Sequence, residues 1–109
     1  MGIIENVATV VLCTEDENTQ KALLIALRSF NVICALPSDA PLEIAHRKPR
    51  AVIADVAARF IFSAARFVRP NVRRVLIADH HWRGCERKYN FVLRTPINPH
   101  TIPLLRKAL

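Results

Sequence analysis

The stretch Arg50-Ala51-Val52-Ile53-Ala54-Asp55-Val56 decides the fold. Four consecutive apolar residues, two of them β-branched, run straight into a single carboxylate. An unbroken apolar run of strand length is the pattern of a strand covered on both faces, as in the middle of a parallel sheet. Pro49 punctuates the chain just ahead, and a polar, arginine-dotted helical pattern follows. Asp55 then stands at the carboxyl end of a buried strand, the edge at which open α/β sheets bind ligands. A carboxylate at that place has a second use, capping the helix that follows, and strand position alone leaves both uses open.

On the amino-terminal side, residues 8–13 form a first apolar strand that runs into Thr14-Glu15-Asp16-Glu17. These acids lead into a helix over residues 19–28, whose amino-terminal dipole favours negative charge. Asn18 or Thr19 is the expected cap, and Ala22, Leu23, Ile25, Ala26 and Leu27 make the apolar side. Residues 32–35 form a second strand, stopped by Pro37. A short helix capped by Ser38 or Asp39 follows, with Pro41 in its first turn. Leu42, Ile44 and Ala45 are its apolar side, and Arg47 and Lys48 close it.

On the carboxyl-terminal side, a third helix over residues 57–68 turns Phe60, Ile61, Ala64, Phe67 and Val68 inward. Arg59, Arg66 and Arg69 line its exposed stripe. A fourth strand, residues 74–78, ends at Asp79. Residues 80–88 are irregular, with room for two helical turns at most and Gly84 weakening even those. A fifth strand covers residues 89–93. The last helix starts near His100, with Pro103 in its first turn and Leu104, Leu105 and Leu109 facing inward. Strands alternating with helices predict an α/β fold with a parallel sheet and right-handed crossovers. The expected form is a flavodoxin-like, doubly wound five-stranded sheet of order 2-1-3-4-5, which sets strands one and three side by side at the switch point. Residues 1–109 are read as a single domain, long enough for one well-covered core.

Half the residues are apolar, as in a globular chain, and no apolar run reaches membrane-spanning length. The start, Met-Gly-Ile-Ile-Glu-Asn, lacks the basic and apolar regions of a signal peptide, and Asn6 falls where a myristoylation signal wants Ser or Thr. Cys13 and Cys34 lie in predicted strands and read as buried small hydrophobes. With Cys85 they make an odd count that points to a reducing, cytoplasmic compartment. Only Gly2 and Gly84 are present, so there is no glycine-rich phosphate loop, and no nucleophile elbow either. An enzyme in its own right is not expected. Asp79, His80, His81 and Cys85 are metal-ligand types, but adjacent histidines point apart and the spacing fits no zinc pattern. The formal charge is +7, from sixteen Lys and Arg against nine acids. That balance favours acidic partners or nucleic acid, on a surface drawn from Arg47, Lys48, Arg50, Arg73, Arg74, Arg83, Arg87 and Lys88.

In the 2-1-3-4-5 order the ends of strands one and three bring Glu15, Asp16 and Asp55 to one crevice, with Asp79 at the end of strand four beside it. Converging carboxylates repel, and a hard divalent ion such as Mg²⁺ would suit them; alternatively each caps a helix. At these residues the chain resembles the receiver domains of bacterial response regulators. The matching pieces are Val10-Val11-Leu12 followed by Glu15-Asp16, then Pro49 to Val56, then Val92-Leu93-Arg94-Thr95-Pro96-Ile97. The resemblance implies that Glu15 and Asp16 are the acidic pair that binds Mg²⁺ together with Asp55, and that Asp55 is the phosphoacceptor. It also exposes departures. Thr95 stands where receivers have a lysine, and Ala78 stands where they have a hydroxyl residue. The crossovers after strands three and four are cut short. The pattern is that of a degenerate receiver, or pseudo-receiver, acting in two-component signalling through contact with a protein partner or a second copy, and not through ordinary phosphorylation-driven switching. The alternative is a basic, nucleic-acid-associated α/β domain.

Overall fold

The computed structural model describes residues 7–109; the amino-terminal residues considered above for a leader or lipid signal lie outside them. A five-stranded sheet of order 2-1-3-4-5 is formed by β1 (Thr9–Cys13), β2 (Asn31–Cys34), β3 (Ala51–Asp55), β4 (Arg73–Asp79) and β5 (Phe91–Thr95). Every pairing is parallel. The cause is visible in β3, where Ala51, Val52, Ile53 and Ala54 are all fully buried, so both faces of the strand need a cover. On one face α1 (Glu17–Ala26) and α4 (Ile102–Ala108) pack Leu23, Leu27 and Leu105 over Leu12, Ile53 and Ile77. On the other, α2 (Ala40–Arg47) and α3 (Ile61–Val68) pack Ile44, Ile61 and Phe62 over Val11, Val52 and Leu76. Among the described residues no helix is long and apolar enough to cross a membrane.

The crossovers after β3 and β4 are short, as expected. After β4 there is no α-helix, only a 3-10 turn (Glu86–Lys88). Aromatic rings do the covering there: Trp82 and Tyr89 pack against the α2–α3 side of the core, with Tyr89 centred 5.5 Å from Phe62 and 6.2 Å from Trp82. Gly84 lies directly under the Trp82 indole, which a Cβ would strike.

Several local expectations need correction. The first helix starts at Glu17 and its cap is Asp16, earlier than Asn18 or Thr19, because the Asp16 carboxylate reaches forward to the Asn18 N–H. β2 begins one residue earlier than expected and β5 two residues later. The largest change is in the third helix. Asp55 caps a 3-10 turn (Val56–Ala58), and the α-helix begins only at Ile61. A 3-10 turn has about 3.0 residues per turn against 3.6, so the helix after it is rephased. Ile61, Phe62 and Ala65 now face the sheet, whereas Phe60 is exposed and Phe67 is 91% exposed. In the other helices the inward stripe is narrower than the apolar residues available. Leu23, Ala26 and Leu27 fill it in α1 and leave Ile25 71% exposed. Ala40 and Ile44 fill it in α2 and leave Leu42 76% exposed, with Ala45 also outside. Leu105 and Leu109 leave Leu104 outside the carboxyl-terminal helix. Cys34 ends the edge strand and is exposed.

Ile53→Ala is expected to destabilise the fold by about 2–5 kcal/mol through the cavity it leaves. Phe67→Ala should stay within about 0.5 kcal/mol, as at other surface positions. Denaturant melts of the two variants check the burial of β3 and the outward placement of Phe67 on α3. The cysteines give a second test. Burial, followed by the charges of Asp55 and Glu15, pushes the Cys13 thiol from 9.0 up to about 11. The folded chain therefore holds a proton that the unfolded chain releases, and stability contributed by Cys13 falls as pH rises from about 9 towards 11. Cys13→Ala should flatten that part of the profile. In thiol titration with an aromatic disulfide, Cys34 and Cys85 should react in the native state and Cys13 only on unfolding.

Candidate functional site

The carboxyl edge of the sheet is built by register. Cys13 at the end of β1 lies beside Ala54 of β3, so Thr14 and Glu15 flank Asp55. Asp55 Oδ1 accepts the Ala58 N–H at 3.1 Å, and Oδ2 accepts the Glu15 N–H at 3.4 Å. Asp16 is equally engaged: Oδ1 accepts the Asn18 N–H at 3.2 Å and Oδ2 the Thr19 hydroxyl at 2.7 Å. Both carboxylates therefore cap the elements that follow them. They also open into different spaces. Glu15 and Asp55 line a cavity of about 210 Å³ with Cys13 and Pro37. Asp16 lines another, of about 490 Å³, with Asp79, His80, Thr95 and Pro96.

A hard divalent ion needs several oxygen ligands turned to one point. Among the described residues no three His, Cys, Asp or Glu side chains are grouped to hold a metal ion. Glu15, Asp16 and Asp55, the trio that the resemblance implies for Mg²⁺, are divided here, with Glu15 and Asp55 on one cavity and Asp16 on the other. Asp79 lies on the Asp16 side, where its Oδ1 accepts the His81 and Trp82 N–H groups at 2.8 and 3.0 Å.

The two altered positions are well defined. Ala78 is buried in the core face under α2 and α3. Thr95 closes β5 opposite Asp79, ahead of a cis Thr95–Pro96 bond. The neighbouring cation, Arg94, points to the opposite face. Its Nη1 donates to the carbonyls of Asp79 and Trp82, both at 2.8 Å, and its Nη2 stands 3.6 Å from Glu86 Oε1. The guanidinium lies 5.4 Å from the centre of the Trp82 ring. This Arg94–Trp82 clasp was not legible in the sequence beyond the alternation that turns Arg94 away from Thr95.

At the amino edge the candidate basic residues divide. Arg50, Arg73 and Arg74 gather with Arg69 around one concavity. Arg87 and Lys88 gather with Arg66 and Arg74 around a second. Arg47 is paired instead with Glu43 at 3.2 Å, and Lys48 is the left-handed C-cap of α2. Arg83 lies at the other end of the sheet, donating to His80 O at 2.9 Å. The Arg66 and Arg69 contributions were missed in the sequence, where both belonged to a solvated helical stripe.

No family profile matches the chain, and no curated protein matches it in sequence. Solved structures do match it. A chain described as a response regulator from Chloroflexus aurantiacus J-10-fl aligns with a TM-score of 0.80 at 17% identity, covering 94% of this chain and 96% of that one. A receiver domain from Methylobacillus flagellatus aligns at 0.77 and 15% identity over 95% of this chain and 100% of its own. A response regulator receiver modulated diguanylate cyclase from Pelobacter carbinolicus aligns at 0.70 and 18% identity, over 94% and 95%. The strand order, the parallel pairing and these alignments agree: the chain has the fold of the response-regulator receiver domain.

Proposed function

We propose that the chain is a pseudo-receiver of bacterial cytoplasmic signalling, working through contact with another protein and not switched by phosphorylation of Asp55. The observation that carries this reading is Thr95 at the end of β5 in a receiver fold, where the resemblance calls for a lysine. A phosphoryl group on Asp55 brings close to two negative charges to an edge that already holds Glu15. Stabilising that charge requires cations aimed at its oxygens. Thr95 brings only a hydroxyl. Arg94 is committed to the carbonyls of Asp79 and Trp82. Ala78 has no hydroxyl with which to follow a phosphoryl oxygen, and its methyl is packed in the core. All three departures fall on the same chemical step.

Contact as the output has support of two kinds. In the Pelobacter neighbour a receiver modulates a diguanylate cyclase. In this chain an apolar groove of about 470 Å³ between α1 and α4 is lined by Ile25, Ile97 and Ile102, a surface suited to a protein partner or a second copy.

Incubation with acetyl phosphate and Mg²⁺, read by intact-protein mass spectrometry, is expected to leave Asp55 unmodified. The double variant Ala78→Thr, Thr95→Lys should gain modification where the parent shows none. A partner recovered from the host by the parent chain should be recovered equally by Asp55→Asn. Robust, Mg²⁺-dependent labelling of the parent, or loss of the partner in Asp55→Asn, would overturn the reading.

A further inference from the structure

The amino edge of the sheet, at the opposite end from Asp55, holds positive charge that is paired with no carboxylate among the described residues. β3, β4 and β5 are neighbours, so the residues leading into them meet. The Arg73 N–H donates to Arg50 O at 2.9 Å, and the Asn90 N–H donates to Arg74 O at 2.9 Å. With Arg69 and Asn71 from the turn after α3, these residues enclose a concavity of about 420 Å³. A second concavity of about 450 Å³ adjoins it through Arg74 and is lined by Arg66, Arg87, Lys88 and Tyr89. Together the two are lined by seven cations, six of them arginines, and among the described residues no acid lines either one. Among the described residues the ion pairs of arginine with a carboxylate are those of Arg47 and Arg94, neither of which belongs here. The charges act on each other. Desolvation, and then the nearby Arg66, hold the Arg74 guanidinium below its usual value.

We propose that these two adjoining concavities bind the phosphodiester backbone of a nucleic acid. Three observations favour that occupant over an acidic protein. The cations are almost all arginines, whose planar fork matches phosphate oxygens with two parallel hydrogen bonds. The walls offer little apolar surface, only Pro70 and the buried Val72 in the first concavity and the Tyr89 ring in the second. Protein interfaces have an apolar centre, whereas nucleic-acid interfaces are polar and strongly basic. Continuity through Arg74 makes a track instead of an isolated anion hole, which suits a chain of regularly repeated charge. The asparagines fit the same role. Asn90 Oδ1 accepts the Arg74 N–H at 2.7 Å, and Asn71 Oδ1 accepts from Arg69 Nε at 3.4 Å, which leaves both side-chain NH₂ groups as donors. Contacts of this kind position a backbone and carry no base sequence, so binding is sequence-tolerant. The site is independent of the chemistry at Asp55.

Fluorescence anisotropy of labelled single-stranded and duplex oligonucleotides, titrated with the 109-residue chain across 50–300 mM salt (roughly the range in which phosphate contacts are screened), tests the proposal. The parent should bind at the low end, with log affinity falling linearly against log salt. Arg50→Ala with Arg73→Ala removes two exposed cations whose side chains hold no other part of the fold. Affinity should drop on the order of tenfold, and the salt slope should become shallower by roughly 1.4–1.8, as for two lost phosphate contacts. Lys21→Ala, on the exposed side of α1, should keep the parent's affinity and slope. Circular dichroism verifies that each variant is folded. Absence of binding by the parent at the lowest salt would overturn the proposal, as would an equal loss in Lys21→Ala. Polyglutamate of the same length binding as tightly as the oligonucleotide would overturn it in favour of an acidic protein.

Discussion

The structure depends on the complete burial of β3. Ala51 to Ala54 have no exposed surface, and a strand with two dry faces cannot sit at an edge or in a one-sided sheet. It must have paired strands on both sides and helices above and below. Each connection must then cross from the carboxyl edge back to the amino edge, because every pairing is parallel. Small residues at either end of the run, Ala51 and Ala54, let the two helical layers approach. The substitution pattern that would break the fold is thus concentrated here and in the strands flanking it.

That crossing rule also sorts the charges. Every α-helix starts at the carboxyl edge and finishes at the amino edge, so partial positive charge collects at the first and partial negative charge at the second. Asp16 and Asp55 sit where helical segments begin, and Asn98 does the same by accepting the His100 N–H at 2.9 Å. Arg47, Arg66 and Arg106 fall in last turns. Arg106 also crosses to the end of α1, donating to Ala26 O from Nε and Nη2 at 3.1 and 2.8 Å. At the acid edge the Asp16 and Asp55 carboxylates are thereby engaged in capping. The basic edge carries more cations than the helix ends require.

The strands, their order and the short crossovers could be read from the sequence, since unbroken apolar runs ending at Asp55 and Asp79 leave little choice of element. The helix faces were less legible. Apolar residues such as Ile25, Leu42 and Phe67 outnumber the places on each stripe, and only the contact surface of the sheet decides which are taken. The 3-10 turn after Asp55 rotated α3 without any signal beyond the cap itself. At the candidate site, Thr95 and Ala78 were recognisable by position, while the separation of Asp16 from Asp55 followed from backbone hydrogen bonds that no spacing announces. Arg50, Arg73 and Arg74 could be named from the sequence as basic. The meeting of Arg50 with the others needed the topology, which places the start of β3 beside the start of β4, where Arg66 and Arg69 arrive from the end of α3.

Trp82 is the chain's only tryptophan, and its position makes the protein's ultraviolet emission a local signal. The indole is held between Gly84 beneath and the Arg94 guanidinium at its face, in the segment that stands in for a helix after β4. It also touches Tyr89, whose ring forms part of the wall of the second basic concavity. Trp82 packs on the α2–α3 side of the sheet, away from the layer of α1 and α4. It reports the state of the segment lying between the acid edge and the basic edge. In the folded protein, a change in intensity or wavelength on addition of a ligand signals an altered environment around this segment, without labelling.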